Sequence, residues 1–176
     1  MQYAAELETK RLVTRQLVYN DHVAWASFFA SAQATKFITT FDETDINKIA
    51  VTWIEKQQNR YKSNQGGLQA LIHKTTGAFI GQCGLLIQNI DGITELEIGY
   101  HIFPRFWGMG YATEAAQQFK QHAFANGLAK SVISIIHKNN IASQRVAIKN
   151  GMAREKESTF YGVGVYVYRA LQVSFI

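Results

Sequence analysis

Residues 103–114 read FPRFWGMGYATE, with Gly108 and Gly110 one residue apart. The alternating run TELEIGYHIF (94–103) leads into the stretch, and the alanine-rich YATEAAQQFKQHAFANG (111–127) leads out of it. A strand therefore hands over to a helix across bare backbone. Two readings are open. Glycine adopts positive φ at no steric cost, so the pair suits a tight turn. Alternatively, the loop holds an anion. The first N–H groups of a helix have no partners within it, and the helix field favours negative charge there. Glycine removes the side chain that would keep a pyrophosphate off the amides from Trp107 to Ala112. Two known phosphate motifs are excluded. GxxxxGK[ST] is absent, with its lysine and its magnesium-binding hydroxyl. The three-glycine dinucleotide fingerprint is absent too, and no acidic residue follows where a ribose would be held.

Working outward, LETKRLVTRQL (7–17) alternates and reads as a first strand. Asn20 or Asp21 can cap a helix through DHVAWASFFAS (21–31). Asp42 to Asp45 introduce a longer helix with Ile46, Ile49, Trp53, Gln57 and Tyr61 on one stripe, ended by Asn64-Gln65-Gly66-Gly67. LQALIH, AFIGQCGLLIQ and TELEIGYHIF are strands joined by the turns KTTG and IDG, an antiparallel meander. In the helix after Gly110, Ala112, Ala115, Ala116, Phe119 and Ala123 share a face, and Asn126-Gly127 stops it. SVISIIH is a nearly continuous apolar strand, expected near the middle of a sheet. Asn140 can cap IASQRVAIK, and a hairpin closes the chain. The expectation is a mixed α/β (α+β) fold, one domain over residues 1–176, with a mostly antiparallel central sheet flanked by helices.

Composition narrows the classes. Of 176 residues, 47% are hydrophobic and 18% charged, enough apolar content for a sizeable core and too little charge for a disordered chain. No apolar run reaches bilayer length, and MQYAAELETKR lacks the pattern of a secretory signal. The single cysteine, Cys83, excludes an internal disulfide and a cysteine-based metal cluster; it fits a reducing, cytoplasmic setting. No metal site is expected. The net charge of +5 is dispersed, and no basic-aromatic interleaving or zinc pattern supports a nucleic-acid partner. A polyanionic small ligand is compatible with the charge.

The stretch GYHIFPRFWGMGYATEAAQQF (99–119) resembles the acetyl-coenzyme A signature of the GNAT acyltransferase family, and more narrowly that of ribosomal-protein N-terminal acetyltransferases. Arg105, Gly108 and Gly110 match the pattern Q/R-x-x-G-x-G/A. LETKRLVTRQL resembles the family's first strand. NNIASQRVAIKNGM (139–152) resembles its N-x-x-S…K-x-G-F segment, with Met152 in place of phenylalanine. The similarity covers most of residues 7–170, weakest from about 30 to 65 and in the last hairpin.

The resemblance implies a splayed sheet and an acetyl-coenzyme A site. Loop amides from Phe106 through Trp107, Gly108, Met109, Gly110 and Tyr111 to Ala112 would hold the pyrophosphate, with Arg105 heading the motif. The backbone of His101, Ile102 and Phe103 would pair with the pantetheine arm, and Asn140 and Ser143 would face the cofactor. It also implies direct attack by a primary amine in a ternary complex, so Cys83 is not required as a nucleophile. The acceptor is a protein N-terminal α-amine or a small-molecule amine. Its site would lie between roughly Phe28–Phe41 and Phe160–Tyr166, with Phe28, Phe29, Phe37, Phe41 and Trp53 as walls. The plainer reading of each wall residue is core.

Amine acetylation needs alignment, a base and relief of charge on the carbonyl oxygen. Strand alternation puts Glu95, Glu97, Gly99 and His101 on one side, and Leu96, Ile98, Tyr100 and Ile102 on the other. Glu97 is the first candidate base, with Glu95 and His101 behind it. The alternative is an exposed polar sheet face, and a bulge would swap His101 to the other side. A tyrosine commonly protonates the thiolate in the family, but none follows Asn140–Gly151 directly. Ser143 is the substitute, and Tyr161, Tyr166 and Tyr168 fit strand packing. Asp42, Glu43 and Asp45 attract a cationic amine or simply open a helix. An apolar last hairpin can pair two chains as a homodimer. The competing class is a non-catalytic coenzyme A-binding module, which a disrupted base and hydroxyl set would favour.

Overall fold

A computed structural model describes residues 6–38 and 42–172. The seven strands form one sheet in the order β1-β2-β3-β4-β5-β7-β6. β1 (Leu12–Arg15), β2 (Gly66–His73), β3 (Phe79–Ile90) and β4 (Ile93–Ile102) pair antiparallel in succession. β5 (Ser131–His137) lies parallel to β4, and β6 (Ala153–Phe160) and β7 (Val163–Leu171) form an antiparallel hairpin with β7 against β5. Helices α1 (Asp21–Phe29), α2 (Ala32–Thr35) and α3 (Ile46–Lys62) precede the meander; α4 (Tyr111–Ala125) and α5 (Ile141–Lys149) flank β5 in sequence. This is the mixed α/β architecture expected from the order of elements. Among the described residues no helix is long and apolar enough to cross a membrane.

Period-2 alternation in the strands feeds two cores. On one side Leu96, Ile98 and Ile102 of β4 pack with Cys83 and Leu85 of β3 and with Ala115, Ala116, Phe119 and Ala123 of α4. On the other, Leu68, Ala70, Leu86 and Phe103 meet Trp25, Phe28 and Phe29 of α1 and Ala50 and Ile54 of α3. Small alanines let α4 lie close to the sheet, and Phe119, 1% exposed, fills the space between them. Removing so enclosed a ring costs about 3–5 kcal/mol. β5 is covered on both faces, which explains its continuous apolar spelling.

Four local expectations change. The run at 7–17 is not one straight strand. It turns back on itself around Lys10–Arg11: Thr9 N–H donates to Leu12 O and Thr14 N–H to Leu7 O, both at 2.9 Å. Neither Asn20 nor Asp21 caps α1 through its side chain; Asp21 instead pairs with both Arg15 nitrogens (2.7 and 2.8 Å) and accepts from Val18 N–H. The buried stripe of α3 is centred on Ala50, Ile54 and Gln57, which leaves Ile46 exposed. The short α2, capped by the Ser31 side chain, was not marked by any periodic pattern.

Candidate active site

The parallel contact between β4 and β5 is confined to Glu97 opposite Ile133. Past that point side chains span the separation. Ser134 Oγ donates to Ile98 O at 2.8 Å, and Ile135 N–H donates to Glu97 Oε1 at 3.4 Å. In an antiparallel ladder, alternate residues direct both main-chain groups to the same neighbour. Phe103 N–H bonds Ile80 O on β3, so the main chains of Phe103 and His101 face β3. Of the three residues expected to pair with a pantetheine arm, only Ile102 thus directs its main chain toward the opening. Its carbonyl already accepts from Trp107 Nε1 at 2.7 Å, which leaves its N–H.

The glycine loop is built for exposed backbone. A 3-10 turn, Pro104–Phe106, follows β4, with the Arg105 guanidinium over the rings of Phe103 and Phe106 at 4.6 and 4.8 Å. Arg105 therefore shapes the turn. Gly108 and Gly110 have φ of 76° and 84°, a region that costs other residues about 1–2 kcal/mol. A Cβ on Gly108 would meet no protein atom within 4 Å. Among the described residues, the N–H groups from Gly108 through Met109, Gly110, Tyr111 and Ala112 to Thr113 have no protein acceptor, whereas those of Phe106 and Trp107 are taken by Phe103 O and Pro104 O. The two readings of the glycines are compatible: the turn conformation is what leaves the amides free. The donor set suits a pyrophosphate, and its start lies at Gly108 rather than Phe106.

The loop is braced from below by residues that sequence reasoning passed over. Glu114, in the first turn of α4, accepts from Thr9 Oγ1 (2.5 Å), Arg11 N–H (2.8 Å) and Arg11 Nε (2.7 Å). Burial works to raise the Glu114 pKa, but these bonds and the Arg11 charge outweigh it and hold the carboxyl below its usual range. Arg11 also donates to Met109 O at 2.9 Å and lies over the Tyr111 ring at 4.3 Å. The corner at Lys10–Arg11 makes this reach possible, and a straight-strand reading hides it.

β4 keeps regular register against β3 from Ile93 to Ile102, so no bulge moves His101. The polar face is not exposed. Glu97 is 9% exposed; it accepts from Gln88 Nε2 at 2.9 Å besides Ile135 N–H. Burial raises its pKa, against the lowering by those two donors and by Arg60. A carboxyl shifted toward neutrality suits reversible proton transfer. Glu95 differs. Arg169 grips both its oxygens, at 2.6 and 3.0 Å, and that bond holds its carboxyl below the usual range. Arg169 in turn binds Glu155 and Ser131, so Glu95 belongs to a structural ion network and drops out as a base. The His101 ring sits edge-on to Phe28 and Trp53, at 5.9 and 5.1 Å. That desolvation lowers its pKa to about 4, so the imidazole is neutral at pH 7 even though part of its surface reaches solvent.

At the far side of the opening, Asn140 caps α5: its Oδ1 accepts from Ser143 N–H at 3.1 Å, which turns Nδ2 outward. Ser143 O accepts from Tyr100 Oη at 2.9 Å, and the Ser143 side chain also lies against that phenol. Burial raises the Tyr100 pKa and keeps the phenol protonated. Tyr161 is exposed at the hairpin tip, Tyr166 lies between Lys138 and Arg154, and buried Tyr168 donates to Gln144. Cys83 is fully buried with a raised pKa, an inert thiol.

The expected acceptor walls divide. Phe28 and Phe29 are core. Phe37 is half-buried with its ring 5.0 Å from that of His137 at the end of β5, and Trp53 donates to Gln82 Oε1 at 2.9 Å. Phe41 lies outside the described residues. Asp45 caps α3 and Glu43 accepts from Thr44 and Asp45 N–H, so this acidic group is a helix start. Among the described residues no three His, Cys, Asp or Glu side chains are grouped to hold a metal ion.

Comparison with known proteins is consistent with this geometry. Residues 11–153 match the family described as "Acetyltransferase (GNAT) domain". The uncharacterized protein YkkB of Bacillus subtilis is 33% identical over 145 residues, 77% of this chain and 84% of its own length. An acetyltransferase from Agrobacterium tumefaciens superposes with a TM-score of 0.80 over 96% of this chain and 95% of its own, at 23% identity. RimL, a ribosomal L7/L12 α-N-protein acetyltransferase solved in complex with coenzyme A, superposes at 0.73 over 94% and 97%, at 15% identity. At these identities the two structures speak for the fold alone.

Proposed function

Since the chain belongs to the GNAT acetyltransferase family, we propose that it acts, as one domain in the cytoplasm, as an acetyl-coenzyme A-dependent N-acetyltransferase. Its acceptor is a primary amine, the α-amine of a protein N-terminus or that of a small molecule, reacting in a ternary complex. The observation that carries this reading is the run of unpartnered amides from Gly108 to Thr113 beside the parting of β4 from β5. Acetyl-coenzyme A brings an activated thioester. The loop amides bind its diphosphate, the Ile102 N–H takes the arm, and Asn140 Nδ2 and the Ser143 hydroxyl meet it from α5. Glu97 accepts the amine proton, directly or through water; the Ser143 hydroxyl gives its proton to the departing thiolate and regains one from solvent. The protonated Tyr100 phenol fixes the backbone of Ser143. The narrower likeness to ribosomal-protein acetyltransferases rests on the spelling WGMGYATEA and favours N-terminal peptides as the first acceptors to try.

A thiol-release screen with acetyl-coenzyme A across N-terminal peptides and small amines tests the proposal, paired with calorimetric titration of the cofactor. Saturable binding with release dependent on one amine class is the expected result. Absence of binding at millimolar cofactor refutes it. Binding without release for any amine supports a non-catalytic coenzyme A module.

A further inference from the structure

Glu97 is held by groups from three other elements, and those groups form a directed chain. Arg60, in the last turn of α3, places its guanidinium over the far end of β3: Nη1 donates to Ile87 O at 3.2 Å and to Gln65 O at 3.4 Å, and Nη2 donates to Gln88 Oε1 at 3.3 Å. A guanidinium only donates, so the oxygen of the Gln88 amide must face it. The amide nitrogen is thereby turned the other way, and it donates to Glu97 Oε2 at 2.9 Å. Ile135 N–H of β5 closes the set on Glu97 Oε1 at the longer distance of 3.4 Å. The donor end of a cation is passed through a neutral amide to a carboxylate in a nearly dry site.

We propose that Arg60 and Gln88 are positioning residues that orient the Glu97 carboxylate and offset part of the cost of burying its charge, so that it can still accept a proton, a role that rests on the reading of Glu97 as the base. A packing function alone does not require the amide in this orientation. A buried carboxylate with one long bond takes up a proton, and a protonated Glu97 cannot accept another. The surrounding charges leave this task to Arg60. It is the cation whose charge acts on Glu97. On the same strand face, Glu95 is neutralised by Arg169 and His101 is neutral; Tyr100, on the opposite face, stays protonated. Neither Arg60 nor Gln88 is near the glycine loop in the hydrogen-bond network, so cofactor binding is independent of both.

Two readouts test the relay. Carbon-detected NMR titration of the Glu97 carboxyl in the free protein reads its charge state without any turnover. The pH profile of kcat/KM reads its use. In Arg60→Met and Gln88→Met, the Glu97 titration and the acid limb of the profile are expected to move up together by about one pH unit, a tenfold loss of rate on that limb. Acetyl-coenzyme A affinity stays unchanged. Gln88→Asn, which keeps the amide but shortens its reach, is the milder variant should an apolar one unfold, and it shifts both in the same direction. Unaltered Glu97 titration in folded variants overturns the proposal. A shifted titration with an unmoved acid limb upholds the relay and removes Glu97 as the base.

Discussion

The two sides of the parted strands are built in opposite ways. The proposed cofactor side is contiguous backbone: one loop and one helix start, Gly108 to Thr113, carry the donors. The proposed acceptor side is assembled from α3, β3, β4 and β5, with Arg60, Gln88, Glu97 and the Ile135 N–H meeting from distant parts of the chain. On the proposed reading, the first design binds a shared chemical handle through groups that every residue has, and the second tunes one carboxylate through groups that only particular residues have. Substitutions should therefore separate the two sides cleanly, affinity on one and rate on the other.

The largest effect is expected from Glu97→Gln, which keeps the shape and removes the base. Its kcat should fall about 10²–10⁴-fold, with acetyl-coenzyme A affinity by calorimetry unchanged; a rate near that of the native protein breaks the division. Gly108→Val is the mirror experiment. A Cβ there meets no protein atom within 4 Å, so the fold is expected to survive, but φ of 76° is strained and the approach to the amides is lost. Cofactor affinity should drop about a hundredfold, about 2.7 kcal/mol, and an unchanged dissociation constant would end the phosphate-loop role.

Arg11→Met tests the brace beneath the loop. With Met109 O left without its donor and Glu114 keeping only Thr9 Oγ1 and the residue-11 N–H, affinity should weaken about tenfold, about 1.4 kcal/mol, while kcat at saturating cofactor is retained. His101 gives a pH signature of the acceptor side. Its folded pKa of about 4 lies below the ordinary 6.5, so the unfolded chain binds the proton more readily. Stability is full above pH 6.5 and declines as the pH falls toward 4. The decline amounts to roughly 2–3 kcal/mol once the exposed edge of the ring is allowed for. Denaturant melts of native protein and His101→Phe at pH 7 and 4.5 measure it, and equal acid sensitivity in both contradicts the assignment. The smallest change belongs to Cys83→Ala: no effect on rate, and about 1 kcal/mol of stability. A large loss of rate would reopen an acyl-enzyme route.

The glycine turn was legible because its geometry is local. Gly108, Gly110 and the start of α4 are adjacent in the chain, and positive φ is written into glycine. Strand periodicity likewise placed Glu97 and His101 on one face. What lay hidden was set by tertiary contacts. Alternation cannot tell that the chain doubles back at Lys10–Arg11, because both halves still alternate. Glu95 and Glu97 look equivalent until β7 brings Arg169 to one and β3 brings Gln88 to the other. The strand proposed to face a pantetheine arm ends β4 as the alternation predicts, while the parity of its main-chain groups depended on register with β3. The α3 stripe kept Gln57, which is buried to hold Leu68 N–H, but turned to bury Ala50 and Ile54 against α1 and β2.

The Arg11–Glu114 tie also dictates when the protein becomes competent. Its partners are 103 residues apart in sequence. On a translating ribosome, Arg11 emerges early and must wait until the start of α4 has been synthesised before the loop has its support. The meander β2–β4 can pair in the meantime, since its hairpins are short-range. Ligand capacity should therefore appear late and abruptly in nascent chains of increasing length, well after the sheet has begun to form.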